Sequence, residues 1–510
     1  MGEGKRSKKE RKYVDGRGSG KKCSLPKAAA VGALIFVPYL VAGAMLPFWN
    51  YRTVSPETKK AFDAGAFRRE GEGPDRAMLL ETGTSAWEHR MRLMDRAKER
   101  IILSTFDMRY GESTKDILAV LWHKAEQGVK VQILVDGFSG FIRMEPEPLF
   151  AAAASHPNIE IRIYNPVSPL TLLTPWKSQG RMHDKYVIVD EDAYILGGRN
   201  CFDYFIGDYE TDNKSLDREV LVWNTKAGSD PAQGNTADAE GRSSLYEVED
   251  YFHKVWELPV CRPFHDDEGM QEKRRIQEQI AMLEERYRWL HEEHAEVFGD
   301  GYDYESHTRP TSCIRLVSNP VGIYGKEPTV FYTLTELMKQ ARERVILHTP
   351  YIVTNDYMNE TLSDVADRVP YAEMVINSVE NGDNFVASSD YQYHKKDIVD
   401  LGFQLYEYDG GISTHGKSFV IDHDLCGIGS YNWDLRSTYM DTELMLVVQS
   451  EELTADLTAA MDEIKYNCRQ VVDEKNYIVP EHVTVARVPL WKRLAWKAVG
   501  FILQPFRCVA

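Results

Sequence analysis

The sequence predicts an α/β protein of two similar halves, each a mixed sheet flanked by helices, that share one cleft. Three observations carry this. First, His183-Asp184-Lys185-Tyr186-Val187-Ile188-Val189-Asp190 and His415-Gly416-Lys417-Ser418-Phe419-Val420-Ile421-Asp422 are two copies of His-x-Lys-x-x-x-x-Asp. Each is followed, 17 residues after its His, by an asparagine in a small-residue turn, Asn200 and Asn432. Second, residues 93–103 (LMDRAKERIIL) echo residues 337–347 (LMKQARERVIL), in each case the end of an amphipathic helix feeding a β-branched strand. Third, helical and strand patterns alternate after both, most clearly a helix over residues 116–127 and a strand over 129–135. Such alternation gives a sheet covered on both faces, with sites at strand ends.

The elements follow in chain order. Residues 1–27 form a basic tail with ten Lys or Arg against Glu3, Glu10 and Asp15. Residues 28–49 run 22 residues without a charge, about 33 Å as a helix, enough for a single membrane span. Basic residues ahead of it predict a cytoplasmic N-terminus and a catalytic region outside the cell membrane. A cleaved signal peptide with Ala42-Gly43-Ala44 at the cleavage site is the competing reading. Residues 50–79 are expected to be a stalk, 80–260 the first half, and 261–310 a connecting helical insert. Ile276, Ile280, Leu283, Tyr287, Leu290 and Val297 form one apolar stripe in that insert, which fits a helix packed on the domain surface. Residues 229–242 read as a loop, 311–475 as the second half and 476–510 as a C-terminal tail. In that tail Trp491, Trp496, Phe501 and Ile502 mix with Lys492, Arg493 and Lys497, which leaves membrane contact and docking on the domain both open.

The duplicated motif reads as a phosphate site with an acid and a base. On an extended strand His183 and Lys185 point the same way, as do His415 and Lys417. Imidazole attacks phosphorus or carries a proton near neutral pH. Lys supplies fixed charge for phosphate oxygens, and Asn200 and Asn432 add neutral donors. Asp190 and Asp422 complete the catalytic set, but an odd number of steps from the His gives them a supporting role. His348 at a strand end reads as a packing residue, and Asn377-Ser378 as a candidate lining of the pocket.

These residues resemble the phospholipase D superfamily, whose signature is the duplicated His-x-Lys-x-x-x-x-Asp. The stretch Gly429-Ser430-Tyr431-Asn432-Trp433-Asp434-Leu435-Arg436-Ser437 is similar to that of bacterial cardiolipin synthases. The resemblance spans residues 80–475 and implies two phospholipase D-like halves around one active site with no metal and no cofactor. It also implies a covalent phosphohistidine on His183, with His415 as general acid, although the residues themselves leave open which His attacks. A carboxylate further along each half is expected to orient the His, and the matching positions are Glu219 and Glu443. Ser430 joins the supporting set. After Asn200 the first copy departs from cardiolipin synthases (Cys201-Phe202-Asp203-Tyr204-Phe205), so the donor lipid and acceptor stay open.

The implied function is a phosphatidyltransferase of the cardiolipin synthase kind, with phosphatidylglycerol the expected lipid. The alternatives are a phosphodiesterase hydrolysing phospholipid or nucleic acid, and a non-catalytic membrane scaffold. Residues 28–510 carry 51 basic against 75 acidic side chains. That net of −24 lacks the basic stripe of a nucleic-acid binder and argues against nucleic acid as partner. Seven scattered Cys give no metal-like spacing and no disulfide framework, and the oligomeric state is open.

Overall fold

The computed structural model describes residues 27–211, 214–228, 241–265, 267, 269–299 and 301–509. The basic tail apart from Lys27, Cys23 included, lies outside the described residues, as does the expected loop over 229–242 apart from its last two positions. The chain divides into two units, residues 1–42 and residues 43–510.

Residues 43–510 contain two nine-stranded mixed sheets that share the order of seven strands. In the first, strand Asp75–Leu80 is followed across the sheet by Glu219–Asn224, Ala193–Gly197, Tyr186–Val189, Arg100–Thr105, Lys130–Asp136 and Ile159–Tyr164. In the second, Cys313–Ser318 is followed by Leu444–Gln449, Leu425–Gly429, Lys417–Ile421, Arg344–His348, Tyr371–Asn377 and Gln404–Tyr408. In both, the motif strand runs antiparallel to its two neighbours, and the next two pairings are parallel. The motif strands are buried throughout, as continuous β-branched runs require. One apolar core joins the halves: Ile102, Ile188 and Val220 of the first sheet share it with Ile346, Val420 and Leu446 of the second. This shared core is what brings the two motifs together.

The described elements cut across three of the expected boundaries. The helix over the expected span is Lys27–Met45, 19 residues, and among the described residues no helix is long and apolar enough to cross a membrane. Met45 at its end and Phe48 just beyond it are buried in the core of the second half. The expected stalk is packed: Phe62 and Phe67 lie on that same core, and the backbone N–H of Arg69 donates to Gln449. The insert belongs to the first half, where Arg274–Glu293 buries Leu283 and Leu290 in the first core and Arg309–Pro310 pairs with strand Asp75–Leu80.

Candidate active site

Each motif enters the site along a backbone ladder supplied by the other half. The N–H of His183 donates to the Thr442 carbonyl (3.3 Å), and the N–H of Thr442 to the Arg181 carbonyl (3.0 Å). On the opposite side Ser413–Thr414 pairs with Ser215–Leu216, and the N–H of His415 donates to the Leu216 carbonyl (2.6 Å). The ladders bring each histidine against a carboxylate of the other half. His183 Nδ1 lies 2.8 Å from Glu443 Oε1, and His415 Nδ1 lies 2.7 Å from Asp217 Oδ2. With Nδ1 engaged, each imidazole keeps Nε2 for chemistry. Both rings line one cleft of about 630 Å³, with Phe106, Arg181, Asn200, Tyr351, Asn432 and Arg436 among its walls.

The lysines are buried beneath the rings, at 1% and 0% exposure, so each positive charge is held without water. Lys185 donates to the His183 carbonyl, and Lys417 to the His415 carbonyl at 2.6 Å. Lys417 Nζ also lies 2.8 Å from His415 Nδ1 and 3.0 Å from its Nε2. Burial lowers the Lys185 ammonium to about 7 and that of Lys417 to about 8.

The two histidine pairs differ electrostatically. Burial, then Lys185 and Lys417, push His183 well below the ordinary imidazole value, while burial lifts its partner Glu443 to about 8. Glu443 also accepts from Ser430 Oγ and Ser437 Oγ, each at 2.5 Å. Asp217 stays ionised: although burial opposes it, His415 and Lys417 hold its carboxyl far below the usual range. Burial and Lys417 lower His415 too, but Asp217 opposes them. Both rings are thus biased toward the neutral form, His183 the more strongly, and His415 has an ionised carboxylate beside it.

The other expected site residues take different places. Asp190 and Asp422 sit at the far ends of the motif strands, in the left-handed region at φ 49° and 52°, which Asp tolerates better than most residues. Asp190 accepts from the backbone N–H groups of Lys98, Glu99 and Arg100 at 2.7–2.9 Å. Asp422 accepts from those of Arg342, Glu343 and Arg344, and these donors hold its carboxyl below the usual range against the effect of partial burial. Both clamp the loop ahead of the neighbouring strand and stand outside the cleft. Glu219 is likewise outside it, in a buried ion pair with Arg90 at 2.5 Å. Asn200 accepts from the Asp107 N–H (3.3 Å), whereas the Asn432 side-chain oxygen is buried without a hydrogen-bond partner. Asn377 holds Thr414 through both backbone groups (2.9 and 2.7 Å), so it fixes the approach to His415 from behind. Among the described residues no group of three or more His, Cys, Asp or Glu is arranged to hold a metal ion.

A family model described as cardiolipin synthase, PLD-like domain, matches residues 91–208 and 334–465, one segment over each motif. The chain belongs to the phospholipase D superfamily. It is an enzyme of that superfamily's phosphatidyltransferase and phosphodiesterase class. Cardiolipin synthase C of Escherichia coli K12 is 25% identical over 465 residues, covering 82% of this chain and 87% of that protein. An uncharacterized protein of Helicobacter pylori is 25% identical over 408 residues, covering 74% of this chain and 76% of the relative. Among solved structures, phosphatidylserine synthase of Haemophilus influenzae Rd KW20 shares the fold at TM-score 0.61 and 13% identity, over 89% of this chain and all of that one.

Within this phospholipase D site, Asp217, Ser437, Arg181 and Arg436 escaped the sequence reading. Asp217 did so for a definable reason. Aligning the triplets Asp217-Arg218-Glu219 and Asp441-Thr442-Glu443 equates Glu219 with Glu443. Strand register does not: Gly197 faces Glu219, while the equivalent Gly429 faces Met445. Asp217 is therefore the counterpart of Glu443 in the first half, two residues from the triplet match. A two-residue slip keeps a side chain on the same face of a strand, so pattern alone cannot expose it. Gly198 makes room for Asp217, since a Cβ there would meet its Oδ1 at 2.2 Å. The second half has Ser430 at that position, bonded to Glu443.

Proposed function

We propose that this enzyme transfers a phosphatidyl group between lipid alcohols through a phosphohistidine on His183, with phosphatidylglycerol as donor and acceptor and cardiolipin as product. The observation that carries this reading is the crossed pairing of His183 with Glu443 and His415 with Asp217 across one cleft. Neutral His183 attacks phosphorus through Nε2. The bond from phosphorus to the headgroup glycerol oxygen breaks, and His415 gives that oxygen its Nε2 proton. A hydroxyl of a second phosphatidylglycerol then attacks phosphorus, returns a proton to His415 and frees His183. Lys185, Lys417 and the Asn pair meet the charge on the phosphoryl oxygens in a water-poor site, where fixed charges act most strongly. The relatives named for phospholipid synthesis support the substrate class.

The purified enzyme in phosphatidylglycerol vesicles should release glycerol and form cardiolipin, with little phosphatidic acid. Predominant phosphatidic acid would make it a hydrolase, and cleavage of single-stranded DNA without lipid turnover would overturn the lipid reading.

The same proposal has the apolar segment 28–49 anchoring the protein in the cell membrane through its residues ahead of Met45, with the basic tail cytoplasmic and the catalytic unit outside. It rests on the charge asymmetry of the sequence. A membrane-impermeant maleimide should label Glu72→Cys in intact cells, while the wild-type chain, whose Cys23 lies in the tail, stays unlabelled until the cells are opened. The reverse pattern would invert the topology.

A further inference from the structure

The helix Leu490–Leu503 has two apolar sides, and only one is used within the protein. Trp496 is buried against Phe385, ring centroids 6.1 Å apart, and Gly500 sits so close to Ser389 that a Cβ would meet its carbonyl oxygen at 2.4 Å. This side docks on helix Phe385–Val399. On the other side Leu490, Trp491, Leu494, Phe501 and Ile502 are exposed at 72%, 70%, 58%, 68% and 62%. At 3.6 residues per turn these five fall within an arc of about 120°. Arg493 and Lys497 border that arc on one side and Lys492 on the other. Residues 482–510 hold five Lys or Arg and no acidic residue, in a chain of net charge −17.

The placement of the helix is as informative as its composition. Its continuation, Gln504 to Cys508, lines a groove of about 510 Å³ together with Trp49 and Tyr51, the segment by which the chain enters this unit. Trp49 and neighbouring Leu46 are themselves 57% and 60% exposed. At the other end, Asn384 and Ala387 of the partner helix line the catalytic cleft, and Phe385 and Val386 between them are 41% and 40% exposed. Exposed apolar groups thus occur at the chain entry, on the helix and beside residues that line the cleft.

We propose that this face of helix Leu490–Leu503 lies in the headgroup layer of an anionic bilayer and holds the cleft mouth at the lipid surface. Apolar side chains flanked by Lys and Arg are the chemistry that such an interface selects. A second copy of the chain suits the face less well, because a twofold contact would set Arg493 and Lys497 against themselves. The proposal deepens the lipid reading above and rests on it for the substrate.

The test uses the full-length enzyme with Cys23→Ser, since the six described cysteines are buried. An environment-sensitive fluorophore is placed at Leu494→Cys, and at Tyr466→Cys, a position 64% exposed, as reference. In vesicles of phosphatidylglycerol and phosphatidylcholine the Leu494 probe should shift to the blue and be quenched by nitroxide lipids, while the Tyr466 probe is not. A water-like Leu494 probe would overturn the proposal. So would a blue shift that needs no lipid and grows with protein concentration, which would indicate a second copy. The Leu494→Glu/Phe501→Glu variant should lose at least about tenfold in kcat/KM on vesicles, given the apolar area removed. It should match wild type on short-chain monomeric phosphatidylglycerol, and an equal loss on both substrates would contradict the proposal. If wild type turns over neither lipid, the functional reading fails, while the fluorescence still decides the helix.

Discussion

Replacing Asp217 by Asn removes the ionised partner of His415 with little change of shape. The carboxylate is buried, lies 2.7 Å from Nδ1, and keeps its charge because His415 and Lys417 are beside it. A charge-assisted hydrogen bond of this kind is worth about 1.5–3 kcal/mol. If it acts fully on the imidazolium that protonates the leaving alcohol, kcat falls by about 10- to 150-fold, at 1.36 kcal/mol per decade. The loss should deepen as pH rises, because without Asp217 only Asp383 is left to oppose burial and Lys417 in deprotonating His415. Glu219→Gln is the matched control. It breaks the buried pair with Arg90 and should cost about 3–5 kcal/mol of stability. Its kcat per folded molecule should stay close to wild type. The assay is cardiolipin formation in phosphatidylglycerol vesicles, normalised to folded protein, beside urea unfolding of both variants. Wild-type kcat in Asp217→Asn, or an equal kcat loss in folded Glu219→Gln, would refute the assignment of partners.

Three other outcomes follow from the same geometry. His183→Ala and His415→Ala should each abolish turnover, and substantial activity in either would break the shared site. The kcat/KM profile should be highest on the acid side of neutrality: His183 stays neutral there because its pKa is well below 6.5, and activity falls as pH rises, first as His415, itself lowered from 6.5, gives up its proton and then through about 7 and 8, where Lys185 and Lys417 lose their charge. A profile that still rises through that window would contradict it. Asp190→Ala should lower the unfolding free energy by about 2 kcal/mol for the loss of an acceptor of three N–H groups, read as a lower urea midpoint, with kcat nearly unchanged.

What the sequence made legible, and what it hid, divides along the range of the interactions. The motif copies, the helix-to-strand echoes and the alternation are local, and the shared strand order of the two sheets follows from them. The insert's apolar stripe is also local, and Leu283 and Leu290 are where that stripe is buried. The crossing of the histidine pairs spans 260 and 198 residues and depends on how two sheets share a core, which no spacing records. Asp190 and Asp422 belong to the signature for a backbone reason, left-handed geometry plus three N–H groups to accept, so their pattern resembles that of a catalytic residue. The end of the apolar N-terminal segment misled in the opposite sense: Met45 and Phe48 are apolar for the core of the second half.

The most direct test of the account is to quench the enzyme in acid-free denaturant during turnover of phosphatidylglycerol labelled in its phosphate, and to map the label. The account predicts one phosphatidyl group per chain, on His183 alone, its yield falling when acceptor lipid is in excess. Label on His415, or steady turnover with no label on either histidine, would contradict it.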